Sequence, residues 1–237
     1  MIRHPIAIDG PAASGKTTVA KLVAARLGAF YVSTGELYRA VTLVALEHQI
    51  EPAEDPAAVC ALLPGLDLHF ALNNAGEIEV QLNGQPVAAA DLRSHHVADS
   101  VSYVARIPEV RSWLVERQRE TRKLGAVVAE GRDIGTVVFP ETPYKFFVSA
   151  SPRERARRRF AQAGETPADA TLESVAASIA QRDEIDSKRP IAPLQPAPDA
   201  EFIMTDHQTA EQVAEYIVRQ INRDPATTPT ETGQYTT

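Results

Sequence analysis

Cysteine is almost absent from this sequence, and its scarcity excludes two ways of stabilising a protein. Cys60 is the single cysteine among 237 residues, which rules out an internal disulfide and a cysteine-based zinc cluster. The adjacent His95 and His96 are given no metal role, because neighbouring side chains point apart and no third ligand accompanies them. With 44% hydrophobic and 23% charged residues, the composition is that of an ordinary globular protein.

Long hydrophobic runs and an excess of positive charge are also missing. The sequence has no apolar stretch of the ~18–20 residues that a bilayer requires, and residues 1–5 lead into a short apolar segment without a signal-peptide core. Lysine and arginine number 24 against 31 aspartates and glutamates, a net charge of −7, which argues against a protein that coats nucleic acid. We expect a cytoplasmic monomer, with neither membrane nor nucleic acid as a partner.

What the sequence does contain is an alternation of short apolar strands and helical patterns. Strands are predicted at Ile6–Ile8 and Phe30–Val32, and each is followed by apolar residues at helical spacing. This alternation is typical of an α/β domain with a parallel sheet. Further strands are predicted at 126–129, 145–148 and 202–204. The pattern indicates a three-layer α/β/α fold around a five-stranded parallel sheet, with a disordered tail expected at 222–237.

A different pattern interrupts this alternation at about residues 64–90. Apolar residues alternate with others from Leu66 to Leu72 and again from Ile78 to Leu82, which is the period of half-buried strands. Asn83 and Gly84 follow the second run, and this pair supplies the positive φ angles of a tight hairpin turn. We predict a small antiparallel β insertion set on the α/β core.

One motif determines the ligand class. Residues 10–17 fit the phosphate-loop pattern G-x-x-x-x-G-K-[ST] at every fixed position, between a predicted strand and a predicted helix. Backbone N–H groups and the helix dipole can surround phosphate oxygens there. Lys16 can reach the β- and γ-phosphates, and the Thr17 hydroxyl can ligate Mg²⁺. The predicted triphosphate site comprises Gly10, Pro11, Ala12, Ala13, Ser14, Gly15, Lys16, Thr17 and Thr18.

Triphosphate binding is shared by proteins of very different function. A GTPase would carry a guanine-reading Asn-Lys-x-Asp segment, which this sequence lacks. A mechanical ATPase usually uses a separate apolar strand ending in aspartate and a surface for a coupled partner. A small-molecule kinase needs instead an arginine-lined site for an anionic acceptor, and the positions of the arginines can test that requirement.

Polar residues follow the predicted strands where a parallel sheet would bind its ligand. Ser33 and Thr34 follow one strand, the run 130–133 (Glu-Gly-Arg-Asp) follows another, and Arg39 lies one turn into the helix after Thr34. Ligands of open α/β sheets bind beyond the carboxyl ends of the strands, so this set suits an anionic, hydrogen-bonding substrate. The alternative is that the arginine and aspartate of that run only pair with each other.

The helix predicted from Thr171 has an apolar face that becomes charged. Residues spaced by three or four share this face: Leu172, Val175, Ile179, Arg182, Asp186 and Arg189. Unpaired buried charges are strongly disfavoured. The charged end therefore either emerges into solvent or enters a polar cavity that holds a phosphate, and Pro190 limits how far the helix extends.

Another predicted helix begins at Ser151 and concentrates positive charge. Ser151 and Glu154 have the spacing of a capping box, and Pro152 suits the first helical position. The arginines of this helix are Arg153, Arg155, Arg157, Arg158 and Arg159. Helical spacing distributes them around the cylinder, so some must be solvated while others could close over a triphosphate as a lid.

Taken together, the motifs resemble those of the bacterial cytidylate kinases, a branch of the P-loop nucleoside monophosphate kinases. The resemblance extends from about Pro5 to Ile221 and is carried by residues 8–17, 34–39, 131–140 and 182–194. The phosphate loop is common to many families. The run Gly-Arg-Asp-Ile-Gly-Thr-Val-Val-Phe-Pro and the Ile-Ala-Pro-Leu end are specific, and the β insertion fits the extra strands of bacterial members.

The resemblance implies an activity and a division of the chain. The γ-phosphoryl group of ATP would pass to CMP or dCMP in pyrimidine nucleotide metabolism, with Mg²⁺ as cofactor. A P-loop kinase core would comprise residues 1–36 and 108–221, and a monophosphate-binding region residues 37–107. Residues 153–167 would form a short arginine-rich lid.

Matching positions suggest roles for individual residues. Ser102, Arg111 and Asp133 would face the cytosine, and Thr34 and Asp186 would hold the ribose. The monophosphate would be held by Arg39, Arg132, Arg182 and Arg189. The catalytic set would be Lys16, Arg132, Arg155, Arg158 and Arg159, with Thr17 as the metal ligand.

Cytosine chemistry supports the base assignment independently. Cytosine offers an amine donor beside two acceptors, which a carboxylate and an arginine complement. Uracil presents a carbonyl and N3–H instead, which would leave Asp133 facing an acceptor. We therefore predict CMP and dCMP over UMP.

Two positions depart from the family pattern. Ser33 stands where many members have aspartate, and Glu130 where aspartate often precedes Gly-Arg-Asp. The serine can alter the hydrogen bonding near the acceptor. The glutamate leaves open whether this carboxylate supports the Mg²⁺ shell in the way usual for the family.

Two alternatives for the function stay open. One is a kinase for UMP or AMP, and the other is an ATP-binding regulatory module without acceptor chemistry.

Overall fold

A computed structural model describes residues 4–161, 166 and 169–223. It contains every strand that the sequence predicts. In chain order they are β1 (Ile6–Asp9), α1 (Lys16–Leu27), β2 (Phe30–Ser33), α2 (Gly35–Glu47), α3 (Pro56–Leu62), β3 (Leu68–Leu72), β4 (Ile78–Leu82), β5 (Gln85–Pro86), α4 (Ala89–Leu92), α5 (His95–Ala105), α6 (Pro108–Glu120), β6 (Val127–Gly131), β7 (Tyr144–Ser149), α7 (Pro152–Phe160), α8 (Leu172–Lys188), β8 (Glu201–Met204) and α9 (Ala210–Arg223). No helix within these described ranges is both long and apolar enough to cross a membrane.

The described residues contain a five-stranded parallel sheet in the order β2-β6-β1-β7-β8. The central strand β1 is flanked by β6 and β7, and its four residues are buried on both faces, which explains its continuous apolar sequence. Because the strands are parallel, their carboxyl ends share one edge, where Asp9 pairs in register with Gly131. The predicted fold class is confirmed.

Alternate residues of the central strands enter separate cores on the two faces of the sheet. Ile6 and Ile8 pack with Val23 of α1 and Ile217 of α9, whereas Ala7 joins the core that contains α2, α5 and α6. This alternation follows from the two-residue period of a strand. The result is the predicted three-layer α/β/α arrangement.

The antiparallel insertion is confirmed as the sheet β3-β4-β5. Leu68, Phe70 and Val80 turn inward and extend the core on the α6 side. Asn83 and Gly84 have φ angles of 51° and 76°, so the turn adopts the left-handed backbone that this pair favours.

The capping box predicted for α7 is only half formed. Ser151 Oγ accepts a hydrogen bond from the N–H of Glu154 at 3.4 Å, but the reciprocal bond is missing. The N–H of Ser151 donates instead to the Asp206 carboxylate at 3.0 Å. The Glu154 carboxylate accepts from Arg157 and Arg158, because charged donors on its own helix form stronger bonds than a backbone amide does.

Helix α8 spans the predicted residues, but its first residue, Leu172, does not belong to the buried face. Leu172 is 39% exposed, so its predicted place on the buried face is wrong; it is the first residue of the helix, beyond the packed part. Val175 and Ile179 are buried against Ala12 of the phosphate loop. The disordered tail was predicted to begin too early, since Asn222 and Arg223 are the last residues of α9. Residues 162–165 and 167–168 of the predicted lid and 224–237 of the predicted tail lie outside the described residues.

Candidate functional site

The predicted phosphate loop connects β1 to α1 and has the backbone that its glycines permit. Gly10 has φ +155°, and a Cβ atom there would lie 2.0 Å from the Val148 carbonyl oxygen. Gly15 has φ +91° immediately before α1 begins at Lys16. These positions require glycine, and the loop delivers the N-terminus of α1 to the carboxyl edge of the sheet, where a helix favours anions.

Lys16 lies buried at the centre of this loop. Its Nζ atom is 3.2 Å from the carbonyl oxygen of Pro11 and 3.8 Å from Glu130 Oε2. Burial, followed by the nearby Arg132 guanidinium, lowers the pKa of Lys16 to about 7. A triphosphate placed here would supply the counter-charge that favours the ammonium form.

Glu130 accepts hydrogen bonds from three hydroxyl groups, one on α1 and two on β2. Its Oε1 atom accepts hydrogen bonds from Thr17 at 2.9 Å, Ser33 at 3.0 Å and Tyr31 at 3.2 Å. Burial alone would raise the pKa of Glu130, but the Lys16 ammonium and the Thr17 hydroxyl hold it below the ordinary value. Glu130 therefore stays ionised, and Ser33, the other departure from the family pattern, is one of its hydrogen-bond donors.

This arrangement bears on the expected Mg²⁺. Thr17 Oγ1 and the Glu130 carboxylate are hard oxygen groups 2.9 Å apart beside the phosphate loop, the donor type that Mg²⁺ prefers. No cluster of three or more His, Cys, Asp or Glu side chains suited to a metal occurs within the described part of the chain. The residues fit an ion that takes its remaining ligands from phosphate and water.

Nine of the described arginines line the adjoining cavity, which has a volume of about 550 Å³. Four of them lie close enough for their charges to affect one another: Arg39, Arg132, Arg159 and Arg182. Burial, and then the neighbouring guanidinium groups, lower the pKa of Arg182 to about 9 and of Arg39 and Arg159 to about 10. The groups remain charged at neutral pH and repel each other, so an anion between them would be strongly stabilised.

Asp186 and Arg182 show how α8 contributes to this cavity. Asp186 Oδ2 accepts from Arg132 Nε at 2.9 Å. Arg182 Nε is buried and finds no hydrogen-bond partner among the described residues. The charged end of the α8 face thus enters a polar cavity, and the solvent alternative is wrong.

The same cavity is also lined by a buried aspartate, Asp133, and its two arginine neighbours. Asp133 pairs with Arg111 in a buried ion pair, and its Oδ1 atom is 3.7 Å from Arg189 Nη2. The possibility that Arg132 and Asp133 pair only with each other is therefore wrong, since Arg132 binds Asp186. Ser102 Oγ is buried there without a hydrogen-bond partner in the described ranges, so the cavity presents hydrogen-bonding groups without internal partners.

Most of the residues predicted from the sequence line this one cavity. They are Ala12, Ala13, Ser14, Gly15, Lys16, Thr17, Thr18, Thr34, Arg39, Ser102, Arg111, Arg132, Asp133, Arg158, Arg159, Arg182, Asp186 and Arg189. Gly10, Pro11 and Arg155 are not among its lining residues. Gly10 and Pro11 form the first part of the loop, and the Pro11 carbonyl accepts a hydrogen bond from the Lys16 ammonium.

Arg155 and Arg158 fasten the phosphate loop rather than standing free above it. Arg155 is buried and donates to the carbonyl oxygens of Ala150 at 3.2 Å and Ala12 at 3.3 Å, and it pairs with Asp183. Arg158 donates to the Ser14 carbonyl at 2.9 Å. The base of the predicted lid is thereby joined to the loop backbone.

Several contributors were missed by sequence reasoning. Tyr31 was missed, although it lies two residues before Ser33 on β2 and so shares its side, a signal that could have joined both to Glu130. Asp183 accepts from the N–H of Ala12 at 3.3 Å, but it lies one position away from the predicted face of α8. Thr205 donates to the Ser149 and Ser14 carbonyls, and no sequence pattern marks it.

A smaller cavity of about 460 Å³ lies beside the start of α1. The loop before α9 supplies one side, and Gly15, Thr18 and Arg158 supply the other. It shares Gly15, Thr18 and Arg158 with the arginine-lined cavity. The two cavities together offer an extended site that passes along the phosphate loop.

Comparisons with known proteins show which family this chain is similar to. A family model described as cytidylate kinase matches residues 6–223. A cytidylate kinase from Geobacillus sp. (strain WCH70) is 44% identical over 219 residues, covering 92% of this chain and 96% of that protein. One from Limosilactobacillus fermentum is 45% identical over 219 residues, 92% and 95% of the two chains. TT1252 from Thermus thermophilus, a solved structure, covers 92% of this chain and 96% of its own at 20% identity and a TM-score of 0.43. The family match over nearly the whole described chain shows that the protein belongs to the cytidylate kinase family.

Proposed function

We propose that this protein transfers the γ-phosphoryl group of ATP to CMP or dCMP, giving ADP and CDP or dCDP. The observation that carries the proposal is a single cavity lined by a phosphate loop, a cluster of arginines and a buried aspartate–arginine pair. A triphosphate donor, a monophosphate acceptor and a base edge each have a chemically matched partner there. A regulatory ATP-binding module would not need the second and third of these.

The donor would lie along the phosphate loop. Lys16 and the N–H groups at the start of α1 would bind its β- and γ-phosphates, and the smaller cavity beside Thr18 would receive its nucleoside end. Thr17 and Glu130 would hold Mg²⁺ together with phosphate oxygens and water. The bound ion would neutralise charge that develops on the transferred group.

The acceptor would occupy the opposite end of the cavity. Arg39, Arg132, Arg182 and Arg189 would hold its phosphate, and Thr34 and Asp186 its ribose. Ser102 and the Arg111–Asp133 pair would read the cytosine edge, with the Asp133 carboxylate accepting from the exocyclic amine. We propose the region 37–107 as the part of the chain that supplies much of this half, and 153–167 as a lid over the donor.

Catalysis would consist of alignment and charge neutralisation. A phosphate monoester has a second pKa of ~6 and is already mostly dianionic near pH 7, so no protein base needs to remove a proton from the attacking oxygen. Lys16, Arg132 and Arg159 would stabilise charge in the in-line transition state. Arg155 and Arg158 would fix the loop that aims the donor. Closure around both nucleotides would exclude water.

The acceptor preference tests the proposal directly. ADP production from ATP and Mg²⁺ should be strong with CMP and dCMP and weak with UMP or AMP. Preference for UMP or AMP would keep a kinase and contradict the base assignment. Turnover that no acceptor increases, in protein shown to bind ATP, would favour the regulatory module. The cytoplasmic location and monomeric state remain predictions from composition, and sedimentation tests the second.

Arg182→Met should separate stability from binding. Removing one of several mutually repelling buried cations should raise the stability of the ligand-free protein by about 1 kcal/mol. The same change should weaken CMP binding about 10²-fold, because a charge-assisted contact to phosphate is lost. Thermal unfolding with and without CMP measures both effects.

The matched control for that experiment is Arg122→Met. Arg122 is exposed beyond the end of α6, so neither quantity should change. A ligand-free Arg182→Met protein that unfolds at a lower temperature than the wild type would show that the cluster is stabilising as it stands, contrary to this account.

A further inference from the structure

The turn that follows β6 has an unusual hydrogen-bond pattern. Ile134–Val138 form a π-helical turn, in which the N–H of Phe139 donates to the Ile134 carbonyl at 2.7 Å. Such turns are rare in proteins, and those that occur are often found at functional sites. Asp133 precedes this turn at the N-cap position, yet its side chain makes no capping hydrogen bond. Its carboxylate is directed to Arg111 and Arg189 instead.

Asp9 of β1 takes over the capping role that Asp133 leaves vacant. Asp9 Oδ1 accepts from the N–H of Ile134 and Oδ2 from the N–H of Gly135, both at 2.8 Å. Asp9 is only 5% exposed, and burial raises its pKa to about 7. A buried carboxylate reduces stability unless hydrogen bonds compensate its loss of hydration, and these two backbone amides supply such bonds.

Close packing holds the capped amide in position. A Cβ atom at Gly135 would lie 3.2 Å from the Lys145 side chain and 3.5 Å from Asp9 Oδ2. The glycine thus lets the turn approach β1 closely enough for both bonds. These hydrogen bonds connect Asp9 to a turn that begins 125 positions later in the sequence.

The opposite end of the turn carries the opposite charge. Arg119 of α6 donates from Nε to the Val138 carbonyl at 3.0 Å and from Nη2 to the Val137 carbonyl at 2.8 Å. The N–H groups at the start of a helical turn attract an anion, and the carbonyl groups at its end attract a cation, because of the dipole of the turn. Asp9 and Arg119 therefore clamp the turn from its two ends.

We propose that Asp9 is a positioning residue for base recognition, because its capping of the turn from β1 leaves the Asp133 carboxylate free to face the cavity. This inference rests on the proposed function, in which Asp133 reads the acceptor base. Without Asp9, two buried N–H groups would lack an acceptor. Asp133 occupies the N-cap position, from which a carboxylate normally reaches the second amide of the turn, here that of Gly135. Its rotation toward this amide would withdraw it from Arg111 and from the base.

The test compares two acceptors in the same preparation of each variant. In Asp9→Ala, kcat/KM with CMP should fall more than with UMP, and the CMP:UMP ratio should drop at least ~10-fold. Asp9→Asn should show a smaller drop, because its amide keeps one acceptor oxygen. A role limited to stability would reduce the active fraction and lower both values equally, leaving the ratio unchanged.

Two further variants make the result decisive. Arg119→Gln loosens the other end of the turn and should lower the ratio in the same direction, which provides a test even if Asp9→Ala does not fold. Thr142→Val removes a buried hydroxyl that donates to the Pro5 carbonyl near the opposite end of β1, and its ratio should equal that of the wild type. A changed ratio in Thr142→Val would attribute the effect to general destabilisation and overturn the proposal.

An unchanged ratio in folded Asp9→Ala, or in Arg119→Gln if Asp9→Ala does not fold, would equally overturn it. Either result could occur with a wild type that prefers CMP, so the proposed function would stand. A wild type without CMP preference would contradict the proposed function itself. The two failures are therefore distinguishable.

Discussion

Replacing Lys16 with alanine should lower kcat about 10²- to 10³-fold, the range seen when one preorganised transition-state donor is removed. Lys16 lies at the start of α1 with its ammonium directed to the Pro11 carbonyl and Glu130, where a bound triphosphate would replace these weak contacts. Initial-rate measurements with saturating CMP give the effect on kcat.

The loss should occur without unfolding. Glu130 keeps its three hydroxyl donors when the ammonium is removed, so the buried carboxylate is not left unpaired. Lys123→Ala is the matched control, because that side chain is 69% exposed and pairs only with Glu120 on the surface. Near-wild-type kcat in a folded Lys16→Ala protein would contradict the role assigned to the phosphate loop.

Asp133→Asn should reduce the preference for CMP over UMP by about 10²-fold, since a charge-assisted hydrogen bond is replaced by a mismatched donor. Arg111 pairs with Oδ2 and would hold the amide oxygen at that position, which would place the NH₂ group at the Oδ1 position, on the side of the base. That donor would oppose the exocyclic amine of cytosine and complement O4 of uracil. The ratio of kcat/KM values for the two acceptors measures the change.

This substitution also weakens a buried ion pair, so loss of stability must be separated from loss of recognition. The ratio within one preparation does so, because the folded fraction cancels. Asp99→Asn offers a surface control, since Asp99 pairs with His95 on the exposed side of α5. A ratio in Asp133→Asn equal to the wild-type value would show that Asp133 does not read the base.

Local patterns predicted the framework of this site well. The phosphate loop could be placed from residues 10–17 alone, because its glycines, lysine and helix start are adjacent in sequence. The α8 face could be followed from Val175 to Asp186, because helical spacing fixes which side chains lie together. Both depend on geometry within one element or one connection.

Pairings between distant elements were beyond such patterns. The sequence could not decide whether Asp133 pairs with Arg132, its neighbour, or with Arg111 of α6, since that choice depends on how α6 packs against the turn that follows β6. Glu154 has the spacing of a capping residue, but Asp206, far along the chain, took its place at the Ser151 amide. Competition between several charged partners is settled by tertiary structure.

The two departures from the family pattern acquire a joint explanation from the structure. Glu130 reaches both the Thr17 hydroxyl and the Ser33 hydroxyl with the same oxygen atom. The shorter Ser33 gives this carboxylate a donor where an aspartate would have placed a second negative charge. The two departures are therefore in direct contact, which neither position indicated in the sequence.

The central claim is that this site transfers phosphate between nucleotides, and following the γ-phosphoryl group of labelled ATP tests it most directly. With CMP present, the label should appear in CDP, with little in inorganic phosphate and little release when the acceptor is omitted. Label found only in inorganic phosphate, at a rate that CMP does not change, would contradict the account.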